Sequence, residues 1–394
     1  MDRRTLLRAG AASVGGVALS GSLWRSAATA HVRTAADPAR PGPSRYGALR
    51  PPDENGVRLP PGFTSRIVAR SGQVVPGTTH AWHGAPDGGA CFPGPAAGWT
   101  YVSNSELARG GGASALRFDA SGRVIAAYSI LSGTRANCAG GATSWGTWLS
   151  CEEVDLGSVW ETDPEGVRPA ARRSAMGAFM HEAAAVDPER KAVYLTEDDP
   201  EGCFYRFCPA RWPDLSAGRL EVLTTADTWA EVPDPSGTTQ RTRRQVPSAR
   251  RFRGGEGCWY ADGSVWFTTK GDGRVWRWDA QRSRLSLTYD DAVADAPLTG
   301  VDNITGSSAG ELFVAEDGGD LQICVLSPHG RVAPFVQLVG HAGSEVTGPA
   351  LTPNGRRLLF SSQRGTTGAS SGGMTFEVRG PFRRRPPAVP GRRR

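Results

Sequence analysis

Residues 181–198 run His181-Glu182-Ala183-Ala184-Ala185-Val186-Asp187-Pro188-Glu189-Arg190-Lys191-Ala192-Val193-Tyr194-Leu195-Thr196-Glu197-Asp198. Two short apolar runs flank an Asp-Pro turn, the pattern of a β-hairpin. The second run ends in a small polar residue and then an acidic cluster. That ending recurs as Tyr101-Val102-Ser103-Asn104, Trp148-Leu149-Ser150-Cys151, Trp266-Phe267-Thr268-Thr269, Phe313-Val314-Ala315-Glu316 and Leu359-Phe360-Ser361-Ser362. The last apolar residues stand at 102, 149, 195, 267, 314 and 360, a spacing of 46 or 47 with one interval of 72. Six units of this period, rich in short strands and Gly/Asp turns, predict an all-β chain folded as a six-bladed β-propeller. Turns such as Ala261-Asp262-Gly263-Ser264 and the alternating strand Arg274-Val275-Trp276-Arg277-Trp278-Asp279 fit that fold. No segment carries a helical stripe longer than about three turns.

The composition agrees. Gly 51 and Pro 29 in 394 residues supply turns, and a 39% hydrophobic content supports a core. The long interval coincides with the Arg- and Pro-rich stretch 209–253, which reads as an insertion forming a long loop or lid. The expected organisation is one propeller domain over residues 31–378 carrying that insertion.

The net charge of +6 suggests a nucleic-acid partner until its position is considered. Residues 1–30 carry +3 and residues 379–394 carry +7, so the body between them is −4. The ends hold the basic charge, and no nucleic-acid surface is expected on the domain. Residues 379–394 read as a disordered, solvated basic tail. Asp2-Arg3-Arg4-Thr5-Leu6-Leu7, a weakly apolar stretch to Leu23 and Ala28-Thr29-Ala30 form a twin-arginine signal with an A-x-A cleavage site. The twin-arginine export machinery is therefore an expected partner, and the mature protein is expected outside the cytoplasm. No later stretch reaches 18 uninterrupted apolar residues, so no membrane span is expected; a monomer is. Seven cysteines without a CxxC pair leave at least one unpaired and argue against a zinc ribbon.

Hairpin geometry places the start of one strand and the end of the next at the same rim. Glu182 then meets Glu197; Cys138 meets Cys151, Glu152 and Glu153; Glu256 meets Thr269 and Lys270; Asp302 meets Glu316 and Asp317. In the first unit, Asn104 and Glu106 take the second position and His83 or Asp87 the first. The sixth unit offers Ser362 and Gln363 and no acid. Radial repetition gathers these groups around the central channel. Carboxylates so close raise one another's pKa and call for cations. Oxygen ligands suit calcium, and a thiolate suits iron. Arg135, Lys270 and Arg364 lie near the same rim as candidate clamps for an anionic substrate. His181 is open to either a ligand role or simple packing.

At these residues the chain resembles the PhoX alkaline phosphatase family. The longest match is Asn137-Cys138-Ala139-Gly140-Gly141-Ala142-Thr143-Ser144-Trp145-Gly146-Thr147-Trp148-Leu149-Ser150-Cys151-Glu152-Glu153. His181-Glu182, Tyr194-Leu195-Thr196-Glu197-Asp198, Glu256-Gly257, Asp302-Asn303-Ile304, Ala315-Glu316-Asp317-Gly318 and Ser361-Ser362-Gln363 extend it over roughly residues 60–365. The resemblance implies a six-bladed propeller with an iron–calcium centre in its channel, hydrolysing phosphate monoesters. It puts the iron-binding cysteine at Cys138 and the acidic ligands at Glu152, Glu182, Glu256, Asp302 and Glu316, with Glu106 and Glu197 beside them. Arg135 and Lys270 are then the expected catalytic cations. Two other readings of the fold stand beside it: a calcium-dependent propeller hydrolase of lactones or other esters, and a non-enzymatic binding propeller.

Overall fold

The computed structural model describes residues 38–384. The proposed export signal and the last ten residues of the basic tail lie outside them. The described chain forms six β-sheets in sequence order, the blades of a propeller. Blade I comprises Pro86–Pro93, Trp99–Ser105, Gly111–Phe118 and Val124–Thr134. Blade II comprises Asn137–Ala142, Trp148–Glu152, Val159–Thr162 and Ala171–Arg172. Blade III begins with His181–Asp187 and Ala192–Glu197, blade IV with Gly255–Ala261 and Ser264–Thr269, and blade V with Val301–Gly306 and Leu312–Glu316. Blade VI joins Val346–Leu351, Arg357–Ser362 and Met374–Arg379 to the N-terminal strand Thr64–Arg70. Met374 pairs with Arg70 at one end of that last ladder and Arg379 with Thr64 at the other. The two ends of the chain thus close the ring in one sheet, leaving no blade with an open seam to its neighbour.

Local chemistry shapes the hairpins. Asp187 Oδ1 accepts the N–H groups of Glu189 and Arg190, both at 3.0 Å, and so fixes the turn read from the sequence. Asp262 and Gly263 both have positive φ, 47° and 75°, as a two-residue hairpin turn requires. Between blades the core is aromatic: Phe204 of blade III stacks on Phe267 of blade IV at 4.1 Å. No helix among the described residues is long and apolar enough to cross a membrane, and all seven cysteines are unbonded.

Two expectations need correction. The first half of the stretch 209–253 is largely strand rather than loop. Phe204–Arg211 and Asp214–Leu223 form a long hairpin, and Trp229–Glu231 adds a fifth strand to blade III. The Arg-rich composition misleads because Arg206 and Arg219 both pair with Glu221 on the outer surface while Leu215, Leu220 and Val222 are buried. The fold also extends past residue 378. Arg379 ends the last strand, and Phe382 is buried against Phe63, Phe335 and Phe313.

Candidate metal centre

One irregularity recurs on the innermost strands. In blades I to V, two residues bulge against one on the neighbouring strand: Asp87-Gly88, Cys138-Ala139, Glu182-Ala183, Glu256-Gly257 and Asp302-Asn303. A bulge re-aims a side chain that regular pleating would place elsewhere. Its first residue is acidic or a thiol in all five blades, and all five are buried. In blade VI the bulge falls one residue later, on Gly348-Pro349, and Thr347 donates its hydroxyl to Pro86 O at 2.8 Å. The second bulge residue stays small where blades touch. A Cβ on Gly88 would lie 2.4 Å from Ala139 Cα, and one on Gly257 would lie 2.6 Å from Ile304 N. Only glycine permits that approach.

A second ring lies nearer the rim. The backbone N–H groups of Glu106, Glu153, Asp198, Lys270, Asp317 and Gln363 bond to the carbonyls of Ala85, Ala136, Met180, Gly254, Gly300 and Glu345 at 2.8–3.2 Å. Each acceptor directly precedes or begins the inner-strand entry of its own blade, so these six positions are equivalent by sixfold repetition. The two rings give three groups whose ligand atoms lie within 4.8 Å of one another: Asp87, Glu106 and Cys138; Cys138, Glu153 and Glu182; Glu182, Glu256 and Asp302. Cys138 and Glu182 each belong to two groups, so the three are contiguous.

Neutral donors steady several members. Gln363 Nε2 donates to Asp87 Oδ2 at 2.6 Å and to Glu106 Oε2 at 2.5 Å. Asn303 Nδ2 donates to Asp302 Oδ1 at 2.9 Å, and the Cys138 thiol lies 3.3 Å from Glu182 Oε1. Burial, reinforced by Glu106, pushes Asp87 up to about 8 against the opposing Gln363 and Gly88 donors. Burial and Asp198 push Glu256 up to about 8 while Lys270 pulls it down. Glu182 and Asp302 rise well above the carboxylate range through burial and then Glu256. Burial, Asp87 and Glu182 likewise raise the Cys138 thiol. Glu182 Oε2 is buried without a hydrogen-bond partner. Such a set of crowded, buried ligand atoms, one of them without a hydrogen-bond partner, fits cations.

Glu152, Glu197 and Glu316 are placed differently from expectation. Each sits one residue before the second ring, where strand alternation turns it away from the channel. Each instead accepts the backbone N–H six residues on: Ser158 for Glu152 at 3.1 Å, Cys203 for Glu197 at 3.1 Å, Gln322 for Glu316 at 3.0 Å. The other oxygen takes Arg135 N in blade II, Arg243 in blade III and Thr299 N in blade V. They staple loops, and their following neighbours Glu153, Asp198 and Asp317 face the centre.

The cations also differ from expectation. Arg135 is exposed, and only its backbone N–H takes part in the staple. Lys270 Nζ meets Glu256 Oε1 at 2.9 Å, Asp317 Oδ2 at 3.5 Å and Asp198 Oδ2 at 4.0 Å. Burial works against its charge, but Glu256, Asp198 and Asp317 outweigh it and hold the ammonium protonated well above the usual lysine range. Arg364 pairs with Glu345 at 2.8 Å. His181 is packed on Phe179, ring centres 3.6 Å apart, with Nε2 3.1 Å from Gly177 O; burial lowers it to about 3. His83 packs against Trp82, ring centres 4.3 Å apart and tilted by 37°, and Asp87 is the residue that joins the centre. Below the bulges the channel opens into a cavity of about 390 Å³ at the opposite end, bordered by Trp259, Tyr260, Ser307 and Asn354.

Comparison with solved structures places this architecture. Pseudomonas fluorescens PhoX, solved in complex with vanadate, a transition state analogue, is 17% identical with a TM-score of 0.68, covering 83% of this chain and 96% of that one. A structural-genomics protein of unknown function from Bacteroides thetaiotaomicron is 10% identical with a TM-score of 0.53, covering 80% of this chain and 76% of that one. Both likenesses establish the propeller fold. By sequence the chain matches no curated protein. The family model described as alkaline phosphatase PhoX matches residues 89–365, a span that contains the whole second ring, the first ring except Asp87, and all six blades' second strands, and the chain therefore belongs to the PhoX alkaline phosphatase family.

Proposed function

We propose that this chain is an exported, metal-dependent phosphatase that hydrolyses phosphate monoesters at an iron–calcium centre in the propeller channel. The observation that carries the reading is the contiguous set of three ligand groups, with a buried carboxylate oxygen of Glu182 left without a partner. Family membership supplies the reaction class, and the vanadate complex of the Pseudomonas relative is consistent with it. Asp87, Glu106, Cys138, Glu153, Glu182, Glu256 and Asp302 would hold the metals. The thiol of Cys138 suits iron, and the all-carboxylate group Glu182, Glu256 and Asp302 suits calcium. Bound cations supply Lewis acidity and neutralise charge on the phosphate oxygens.

The protein's own groups do the positioning. Gln363 and Asn303 fix the orientation of Asp87, Glu106 and Asp302 from outside. Lys270 offsets three acids at the mouth, so an anion meets less repulsion there. Exposed Arg135 would be open to a phosphate dianion from solution. Export by the twin-arginine route, from Arg3-Arg4 and Ala28-Thr29-Ala30, would deliver the folded, loaded protein.

The test is metal analysis of natively exported protein beside phosphomonoester hydrolysis. Iron and calcium should be present. Chelation should abolish activity and calcium should restore it. Protein without iron, or activity indifferent to chelation, would overturn the reading.

A further inference from the structure

The second ring contains one residue out of keeping with the rest. Its six equivalent positions are Glu106, Glu153, Asp198, Lys270, Asp317 and Gln363. Four offer a carboxylate and one a neutral amide that bonds two carboxylates; blade IV alone offers a cation. Lys270 does not point away to solvent. Its ammonium lies among carboxylates from three successive blades: Asp198 of blade III, Glu256 of blade IV and Asp317 of blade V, at 4.0, 2.9 and 3.5 Å. Three carboxylates converging on one point are the donor set of a hard divalent cation. Here a side chain fills the point. An ammonium offers three N–H donors and a compact charge on a flexible stem, which suits such a set.

We propose that Lys270 is a tethered counter-cation. Its Nζ takes a place in the centre that a divalent ion would otherwise occupy, so the acid rings hold one metal ion fewer than their carboxylates could bind. Around the rest of the centre the acids are steadied by neutral donors, Gln363, Asn303 and the Cys138 thiol. Apart from Arg364, which pairs with Glu345 at 2.8 Å, the fixed groups there leave the negative charge for mobile metals to balance. Between blades III and V the balance is covalently attached and no chelator removes it. Glu256 belongs to both regimes: one side faces Lys270, and the residue also completes the group with Glu182 and Asp302.

The inference rests on the metal-centre reading, and the test separates the two. Exported protein is equilibrated with millimolar calcium, freed of unbound ion, and its calcium counted per chain. Its melting temperature is followed with and without calcium. Lys270→Ser should gain one calcium per chain over the wild type and show a larger calcium-dependent rise in melting temperature. Lys270→Arg, which keeps a fixed cation, should hold the wild-type count. Asp317→Asn in the wild-type background should also leave the count unchanged, because no metal sits on Asp317. An unchanged count in Lys270→Ser overturns the inference, as does loss of one calcium in Asp317→Asn. Should Lys270→Ser fail to fold in either condition, the Asp317→Asn count decides. Wild-type protein free of all metal overturns the metal-centre reading itself.

Discussion

Glu316 and Asp317 are neighbours in the chain, both acidic and both at the same end of blade V, yet they do opposite work. Glu316 closes a loop with two backbone N–H groups and faces away from the channel. Asp317 joins the ring around the centre and pairs with Lys270. Glu152 with Glu153 and Glu197 with Asp198 repeat the contrast. The first of each pair is a structural staple whose oxygens are taken up by hydrogen bonds from the protein itself. The second belongs to a set of acids whose charge the protein meets only in part. Charge alone thus says little about role; what matters is whether the fold provides the partner.

The largest expected effect lies on the channel side. Cys138→Ala or Glu182→Gln should lower phosphomonoester hydrolysis by roughly a hundredfold or more, since even groups behind metal ligands are worth 10–100-fold. Metal content should fall with it, while urea unfolding of the metal-stripped variants stays at or above that of the stripped parent. Activity within about threefold of the parent would break the contrast. Next comes the staple. Glu197 is buried and holds Arg243 at 2.7 Å, Cys203 N at 3.1 Å and the Tyr205 hydroxyl at 2.8 Å. Glu197→Ala leaves Arg243 with Asp199 alone, at 2.8 Å, strips Cys203 N and the Tyr205 hydroxyl of an acceptor, and should cost about 1–3 kcal/mol in urea unfolding. Folded variant should keep its metal content, and loss of metal instead would move Glu197 to the other class.

A smaller effect is expected from pH on metal-free protein. Asp87 and Glu256 are raised to about 8 in the folded state, against about 4 when unfolded. Between those values the folded state binds more protons than the unfolded one, so stability falls as pH rises from about 4 to about 8. Chelator-treated protein should therefore melt lower at pH 8 than at pH 5.5. Metal loading should reduce or reverse that difference, because it favours the ionised ligands. An identical pH slope with and without metal would show that the staples, Glu316 included, dominate the titration.

The sequence was most legible where spacing repeats. Six apolar strand ends, 46 or 47 residues apart but for one interval of 72, set the number of blades, and the first bulge column, Cys138, Glu182, Glu256 and Asp302, followed from hairpin geometry. The second column was displaced by one residue. A strand alternates sides at every step, so a one-residue misplacement at the strand end exchanges the staple for the inward-facing acid. The fivefold bulge depends on how inner strands crowd round an axis, and no single blade's residues encode that crowding. The strands of 214–231 were obscured for a related reason: an outer strand needs only one apolar face, and cross-strand Arg–Glu pairs fill the other.

Sequence by itself determined the all-β repeat, the number of blades, the acidic character of the body and the family to which the chain belongs. Those properties are periodic or local, and the order of residues carries them. Only the tertiary structure decided which acid of each adjacent pair faces the channel, that Lys270 sits among three carboxylates, and that Phe382 belongs to the fold. Each depends on groups from different blades meeting at one place, where burial and the positions of partners set the sign of every interaction.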